Sequence, residues 1–171
     1  MTIRTLTPAD VKEYRVLRLA ALREQPPAFG TPAEKEEKLA LEAVASRLQE
    51  SEDTYILGAF SDEILVGTIR FSRFEEANEK HRGLIAGLYV RPEFRRRGVA
   101  RALATEVLGR AQQDNSLRRI HLTVVTAQDA AIQLYKSLGF CIYGTEHEAF
   151  SNQGQFYDEH LMELILHAET K

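Results

Sequence analysis

The stretch that most constrains the fold runs from Leu84 to Leu108, where an apolar run, LIAGLYV, passes through RPEFRRR into GVARALATEVL. The apolar run reads as a strand. From Arg97 onward, Val99, Leu103, Val107 and Ala111 recur at helical spacing, with Ala100, Ala104 and Leu108 beside them, and the pattern fades at QQDNS. RPEFRR is then a strand-to-helix turn. Inside the strand lies Gly87, and a glycine there often marks a bulge or the close approach of another backbone or a ligand.

The neighbours of this unit extend the pattern. RRIHLTVV alternates Ile120, Leu122 and Val124 as a strand, and TAQDAAIQLYKSLGF reads as a short helix closed by Gly139. Upstream, TYILGAF and ILVGTIRF are joined by SDE as an antiparallel hairpin, and downstream CIYGTEHEAF and FYDEHLMELIL form a final strand pair. Two helix starts are written as TPAD, Thr7 to Asp10, and TPAE, Thr31 to Glu34. The first helix carries Val11, Tyr14, Leu17, Leu19 and Leu22 and stops at QPPAFG. The second is expected over AEKEEKLALEAVASRLQE, with Leu39, Ala43 and Leu48 as its apolar stripe. The order βααβββαβαββ predicts an α/β fold, a mixed sheet with helices packed on both faces.

A chain of 171 residues, 44% hydrophobic and 27% charged, is large enough to bury a core as one domain without disulfides or a structural metal. The net charge of -3 makes the arginine cluster a local feature of a mildly acidic protein, which argues against general nucleic-acid binding. The only cysteine, Cys141, suits a reducing compartment and leaves no second thiol for a metal site. MTIRTLTPADVKEYR lacks the apolar core of a signal peptide, and no run approaches the roughly 18 apolar residues of a membrane span, so a cytoplasmic protein without membrane partners is expected.

A helix N-terminus directs unpaired amides and the positive end of its dipole outward, and arginines beside it complement an anion. Gly98 lets the backbone approach such a ligand, and Ala100 is too small to block it, so a pyrophosphate fits. The same arginines also fit a solvated loop. ATP and NAD signatures are absent, since the chain has neither a Walker lysine-serine pair nor GxGxxG after a strand.

RRRGVA, Arg95 to Ala100, resembles the Q/R-x-x-G-x-G/A element of the GNAT family of acyl-CoA N-acyltransferases, and AAIQLYKSLGF is similar to that family's A-x-x-L-Y-x-x-x-G-F element. The resemblance covers most of the chain. It implies a single N-acetyltransferase domain over 1–171, with a mostly antiparallel central sheet of about seven strands flanked by four helices and splayed between strands 4 and 5. It further implies acetyl-CoA as co-substrate, its pyrophosphate cradled by Arg95, Arg96, Arg97, Gly98, Val99 and Ala100, and its pantetheine arm along Leu88, Tyr89 and Val90. The backbone amide of Leu88 would polarise the thioester carbonyl, and Tyr135 would protonate the departing thiolate. Ala131 matches the family alanine, and Gln128 stands where the family usually has asparagine, retaining the amide with one more methylene. No metal is implied.

One departure concerns the general base. Many relatives place a glutamate on the fourth strand, whereas the matching position is Leu84 and the strand from Leu84 to Val90 contains no carboxylate. An alkyl ammonium must lose its proton before it attacks. Candidate bases are Glu75, Glu79 and His81 before that strand, and Glu148, Tyr157 and Asp158 in the tail. The acceptor is expected between EQPPAFGTP, with Pro26, Pro27 and Phe29, and the last hairpin, where Glu146, Glu148, Asp158 and Glu159 attract a cationic amine by sign. Sign alone leaves open a polyamine, an aminoglycoside-like compound, an amino acid or a protein N-terminus. The reading is an N-acetyltransferase acting on a primary amine in a ternary complex, with a catalytically silent acyl-CoA-binding module as the alternative that the missing carboxylate motivates. Tyr135 favours the enzyme, and the final strands offer a route to a homodimer.

Overall fold

The computed structural model describes residues 1–24 and 32–167. Its strands are β1 (Thr2–Thr5), β2 (Thr54–Ser61), β3 (Ile64–Arg73), β4 (Arg82–Val90), β5 (Arg119–Val125), β6 (Cys141–Asn152) and β7 (Gln155–Ile165). Among the described residues its helices are α1 (Val11–Glu24), α2 (Ala33–Glu37), α3 (Leu41–Ser46), α4 (Val99–Gln113) and α5 (Asp129–Ser137). The seven strands form one sheet in the order β1-β2-β3-β4-β5-β7-β6. Every pairing is antiparallel except that of β4 with β5. The mixed α/β architecture and the strand order along the chain follow the sequence reading.

Turn chemistry sets the two hairpins. Asp62 and Glu63 both adopt positive φ, 49° and 67°, in the two-residue turn joining β2 and β3, the left-handed geometry that matches the twist of the paired strands. Gln153 and Gly154, at 50° and 80°, do the same between β6 and β7. The first helix start is anchored by Asp10, whose carboxylate accepts from the Thr7 amide at 2.8 Å and pairs with Arg4 at 2.6 Å. That arrangement holds the Asp10 carboxyl down at about 2, chiefly through its bond with Arg4.

The second helix departs from expectation. Instead of one run there are two short helices, α2 and α3, with Ala40 extended between them (φ −60°, ψ 146°). Leu39 and Leu41 explain the break. Two residues apart on a continuous helix they would point in nearly opposite directions, whereas both pack on the cluster beneath α1. The stripe is accordingly Leu39, Leu41, Val44 and Leu48, and Ala43 faces solvent. The sheet therefore has five helices around it among the described residues, rather than four. The Thr31 cap and the EQPPAFG loop with Pro26, Pro27 and Phe29 lie outside the described residues.

Two apolar clusters hold the sheet. One packs α4 and α5 on a face built from Leu57, Val66, Ile69, Phe71, Ile85, Ile120 and Leu122. The other packs α1 and α3 on the opposite face, with Leu6, Leu17, Val44, Ile56, Leu65 and Tyr89. The second cluster covers only the β1–β3 side and the end of β4. Over the rest of the sheet no described helix covers the same face.

Two irregularities of β4 position the site. Opposite β3, Tyr89 pairs with Thr68 and Ala86 with Arg70, so Gly87 and Leu88 together face the single residue Ile69. This is a bulge, with Gly87 in the left-handed region at φ +64°. On its other edge β4 is registered with β5 only at Arg82, Gly83 and Leu84, paired with Arg119, Ile120 and His121. Beyond Leu84 the two strands part.

A Cβ at Gly87 would meet nothing within 4 Å, so the residue is demanded by conformation rather than crowding. Gly87→Ala is expected to lower unfolding free energy by about 1 kcal/mol in urea titrations, the cost of holding a side-chain-bearing residue left-handed.

Candidate functional site

The parting of β4 from β5 opens directly onto the N-terminus of α4. Between them, Arg91 to Phe94 form a tight turn, with the Phe94 amide on the Arg91 carbonyl at 2.9 Å and the Arg95 amide on the Pro92 carbonyl at 3.2 Å. Arg96 then takes φ 61° and Gly98 φ 82°, alternating left-handed residues that turn successive amides the same way. The first helical bond of α4 runs from the Ala102 amide to the Gly98 carbonyl at 2.9 Å. Among the described residues the amides of Arg96, Arg97, Gly98, Val99, Ala100 and Arg101 find no acceptor. A Cβ on Gly98 would meet nothing within 4 Å, so the space outside the turn is open. Unbonded amides, a helix dipole and two exposed guanidiniums make this turn fit a pyrophosphate.

The four arginines of the turn divide by task. Arg91 donates from Nε to the Leu65 carbonyl at 2.9 Å and fastens the turn to β3. Arg95 donates from Nε to the Val90 carbonyl at 2.9 Å, pairs with Glu24 at 2.7 Å and lies over the Tyr89 ring. Its guanidinium is thus tied into the scaffold rather than presented outward. Arg96 and Arg97 are exposed, and Arg97 makes only a ring contact with Phe94. Arg101, one turn into α4, donates to the Ser137 hydroxyl at 2.8 Å and links α4 to α5.

Along the parted edge, Tyr89 and Val90 are buried and the Leu88 side chain packs on the α4 cluster. Only their backbone faces the gap. Tyr89 donates from its hydroxyl to Glu24 at 2.6 Å, and burial together with that acidic partner pushes its phenol up to about 12. On the other side of the gap, Gln128 caps α5, its amide bonded to the Val125 carbonyl at 2.9 Å, and Ala131 packs on the α4 cluster. Tyr135 is buried edge-on to Phe140, and burial raises its phenol well above the usual range. Its helix ends in two tight closures: the Gly139 amide on the Lys136 carbonyl and the Phe140 amide on the Tyr135 carbonyl, with Gly139 at φ +95°. Among the described residues the Tyr135 hydroxyl has no hydrogen-bond partner, yet it is not sealed from solvent.

The candidate bases scatter. Glu79 pairs with Arg82, His81 is exposed before β4, and Tyr157 stacks on Phe150. Asp158 is paired with His147 at 2.8 Å and accepts the Glu148 amide at 2.9 Å, which holds its carboxyl below the usual range. By strand parity Tyr157 shares the open face, and two groups that sequence reasoning did not weigh as bases lie there too. His121 occupies the last registered pair before the strands part, buried, with Nε2 accepting from Arg82 Nε at 3.2 Å and Nδ1 unpartnered among the described residues. Burial, then Arg82, holds it below the ordinary histidine range. Glu159 on β7 is half-buried, and burial pushes its carboxyl up against the opposing hydrogen bond from Thr123. The signal for Glu159 was parity: alternation along EHLMELI places Glu159, Leu161 and Glu163 together, opposite Val125, Thr123 and His121.

Comparison with known proteins bears on what such a site does. Residues 17–140 match the model of the acetyltransferase (GNAT) family. The L-amino acid N-acetyltransferase AaaT of Escherichia coli is 38% identical over 81 residues, 46% of this chain, and the match spans only 49% of that relative's length. Among solved structures, a GNAT-family acetyltransferase from Streptococcus pneumoniae is similar with a TM-score of 0.85 at 24% identity, covering 96% of this chain and 98% of the other. The yncA protein of Salmonella typhimurium, solved with acetyl-CoA, gives a TM-score of 0.81 at 18% identity, covering 100% and 96%. At these identities the structural likeness is one of fold. No helix among the described residues is long and apolar enough to cross a membrane.

The division among the arginines is open to measurement. Arg95→Ala, which strips two bonds from the scaffold, is expected to cost about 1–2 kcal/mol in urea unfolding, and Arg97→Ala less than about 0.5 kcal/mol. Equal losses would contradict the division.

Proposed function

Because this chain belongs to the GNAT family of acetyltransferases, we propose that it transfers the acetyl group of acetyl-CoA to a primary amine by direct attack in a ternary complex. The observation that carries this reading is the parting of β4 from β5 directly in front of the unbonded amides of α4. Acetyl-CoA supplies an activated thioester. The amides of Arg96 to Ala100, with the Arg96 and Arg97 side chains, hold its pyrophosphate, and Arg95 acts through the scaffold. The backbone of Leu88, Tyr89 and Val90 lines its arm, with Gln128 and Ala131 on the opposite wall.

Transfer needs three services. The amine nitrogen bonds to the thioester carbonyl carbon while the carbon–sulfur bond breaks and its electron pair leaves on sulfur. As negative charge grows on the carbonyl oxygen, the Leu88 amide donates to it; fixed donors of this kind are typically worth about 3 kcal/mol. The Tyr135 hydroxyl donates to the departing sulfur. Burial keeps that phenol protonated, so it first stabilises the thiolate by hydrogen bonding, and the same dry surroundings raise the basicity of the sulfur that takes the proton. Before attack, the ammonium must give up a proton. Of the groups on the open face, Glu159 is the carboxylate whose affinity for protons is raised, which suits it to take that proton. A carboxylate on β7 answers the absence of one on β4, the feature that favoured a silent acyl-CoA-binding module.

The AaaT relative is named for L-amino acids, and that name makes free amino acids the first acceptors to try. We further propose that residues 1–171 act as one domain, in an aqueous cytoplasmic setting, with a homodimer through the final strands as the assembly to look for.

Arg97→Glu combined with Gly98→Asp is expected to weaken coenzyme A binding by at least about 100-fold in calorimetry, through like-charge repulsion at the turn. Unchanged affinity would remove the pyrophosphate from this site. Tyr135→Phe is expected to lower turnover about 100-fold while leaving acetyl-CoA affinity within about threefold. Glu159 serves as a base only when ionised, so turnover should fall as pH drops through its raised carboxyl range. Glu159→Gln should abolish that acid limb, and a limb that survives assigns the base elsewhere.

A further inference from the structure

Nearly every guanidinium among the described residues is engaged. Arg4 holds Asp10, Arg47 holds Glu36, Arg73 pairs with Asp114, and Arg119 holds Glu163. Arg70, Arg96 and Arg97 make neither a hydrogen bond nor an ion pair among the described residues. Arg96 and Arg97 flank the anion turn. Arg70 lies on the other side of the sheet.

Its placement is specific. Arg70 is paired across β3 and β4 with Ala86, the residue immediately before the Gly87–Leu88 bulge. Ile69 and Phe71 on either side of it face the α4 cluster, so Arg70 projects onto the opposite, open face, beyond the cover of α1. It is close enough to the Tyr14 hydroxyl of α1 to weigh on its ionisation, as are Arg18, Arg47 and Glu36. Glu36 is buried and gives both oxygens to Arg47. Arg18 has contacts of its own. Of the cations on this rim, Arg47 is taken by Glu36, and Arg70 is the one without a hydrogen-bond or ion-pair partner among the described residues.

The floor between Arg70 and the parted strands is uncharged, made by Leu84 and Ala86. On the far side lie His121 and then Glu159 of β7, with Glu146 paired across from it, while Glu163 is taken up by Arg119. The open face is therefore positive at β3 and negative at β7. A polyamine or aminoglycoside would bring further cations against the β3 rim and be repelled. An amine that carries its own carboxylate matches both signs at once, and the planar fork of arginine accepts a carboxylate through two parallel hydrogen bonds.

We propose that the acceptor is an amine bearing a carboxylate, of which a free α-amino acid is the simplest case, and that Arg70 is the residue that selects it by binding that carboxylate. The proposal rests on the acetyl-transfer reading above, and names the acceptor class for the same site. A protein N-terminus, whose α-carbonyl is an uncharged amide, lacks the group that Arg70 reads.

The full chain is assayed for thiol release from acetyl-CoA with the twenty common L-amino acids, their carboxamides and spermidine. At least one amino acid is expected to exceed its carboxamide in kcat/KM by about tenfold or more, with the difference in KM. In Arg70→Ala that preference should fall toward unity, with coenzyme A affinity by calorimetry unchanged, and Arg70→Lys should restore part of it. Carboxamides or spermidine used as well as amino acids, or a preference that survives in Arg70→Ala, would overturn the proposal and leave acetyl transfer standing. No acetyl-CoA binding, or no release with any amine, would overturn the acetyl-transfer reading itself, and the proposal with it.

Discussion

The three registered pairs between β4 and β5 are the hinge on which the site depends. At their vertex the strands are packed as tightly as the chain allows: a Cβ on Gly83 would come within 2.5 Å of the Phe71 ring and 2.9 Å of Ile120. A side chain there would force the Phe71 ring and the Ile120 tip to move. A few residues later the bulge at Gly87 adds one residue to β4 that β3 does not match, and the strand is turned away from β5. Tight packing at one end and an added residue at the other convert a parallel pair into a cleft, and α4 and α5 close it from one face only. The backbone groups that the ladder would have consumed are thereby left for a ligand.

The arginine-rich turn shows how little a count of charges says about a site. Arg91 and Arg95 spend their donors on the carbonyls of Leu65 and Val90, which orients the turn. What faces outward is a row of main-chain amides and two unpaired guanidiniums. Amides at a helix start are fixed by the fold, so they bind an anion without first being ordered, whereas free arginine side chains lose rotamer freedom on doing so. The positive φ of Arg96 and Gly98 is what points the amides one way.

Legibility in the sequence followed the strength of local signals. The order of elements along the chain, the strand-to-helix turn before α4, the bulge at Gly87 and the closure at Gly139 were all readable because each rests on a period or on a backbone geometry that one residue type supplies. The break at Ala40 was not, because it is decided by where Leu39 and Leu41 find the α1 cluster, and a continuous helical pattern reads equally well without that tertiary demand. The division between Arg95 and its neighbours was hidden for the same reason: its partner Glu24 is 71 residues earlier in the chain. As bases, His121 and Glu159 were passed over because their environment comes from strand parity and from which part of the sheet α1 leaves bare.

Glu24 also relates the two sides of the site. One oxygen of its carboxylate accepts the Tyr89 hydroxyl on the parted strand, and the other pairs with Arg95 of the anion turn. This one residue, the last of α1, thus ties three elements: the helix that borders the open face, the strand that lines the cleft, and the arginine-rich turn before α4. The parted strand and the arginine-rich turn are therefore held relative to each other by a single carboxylate.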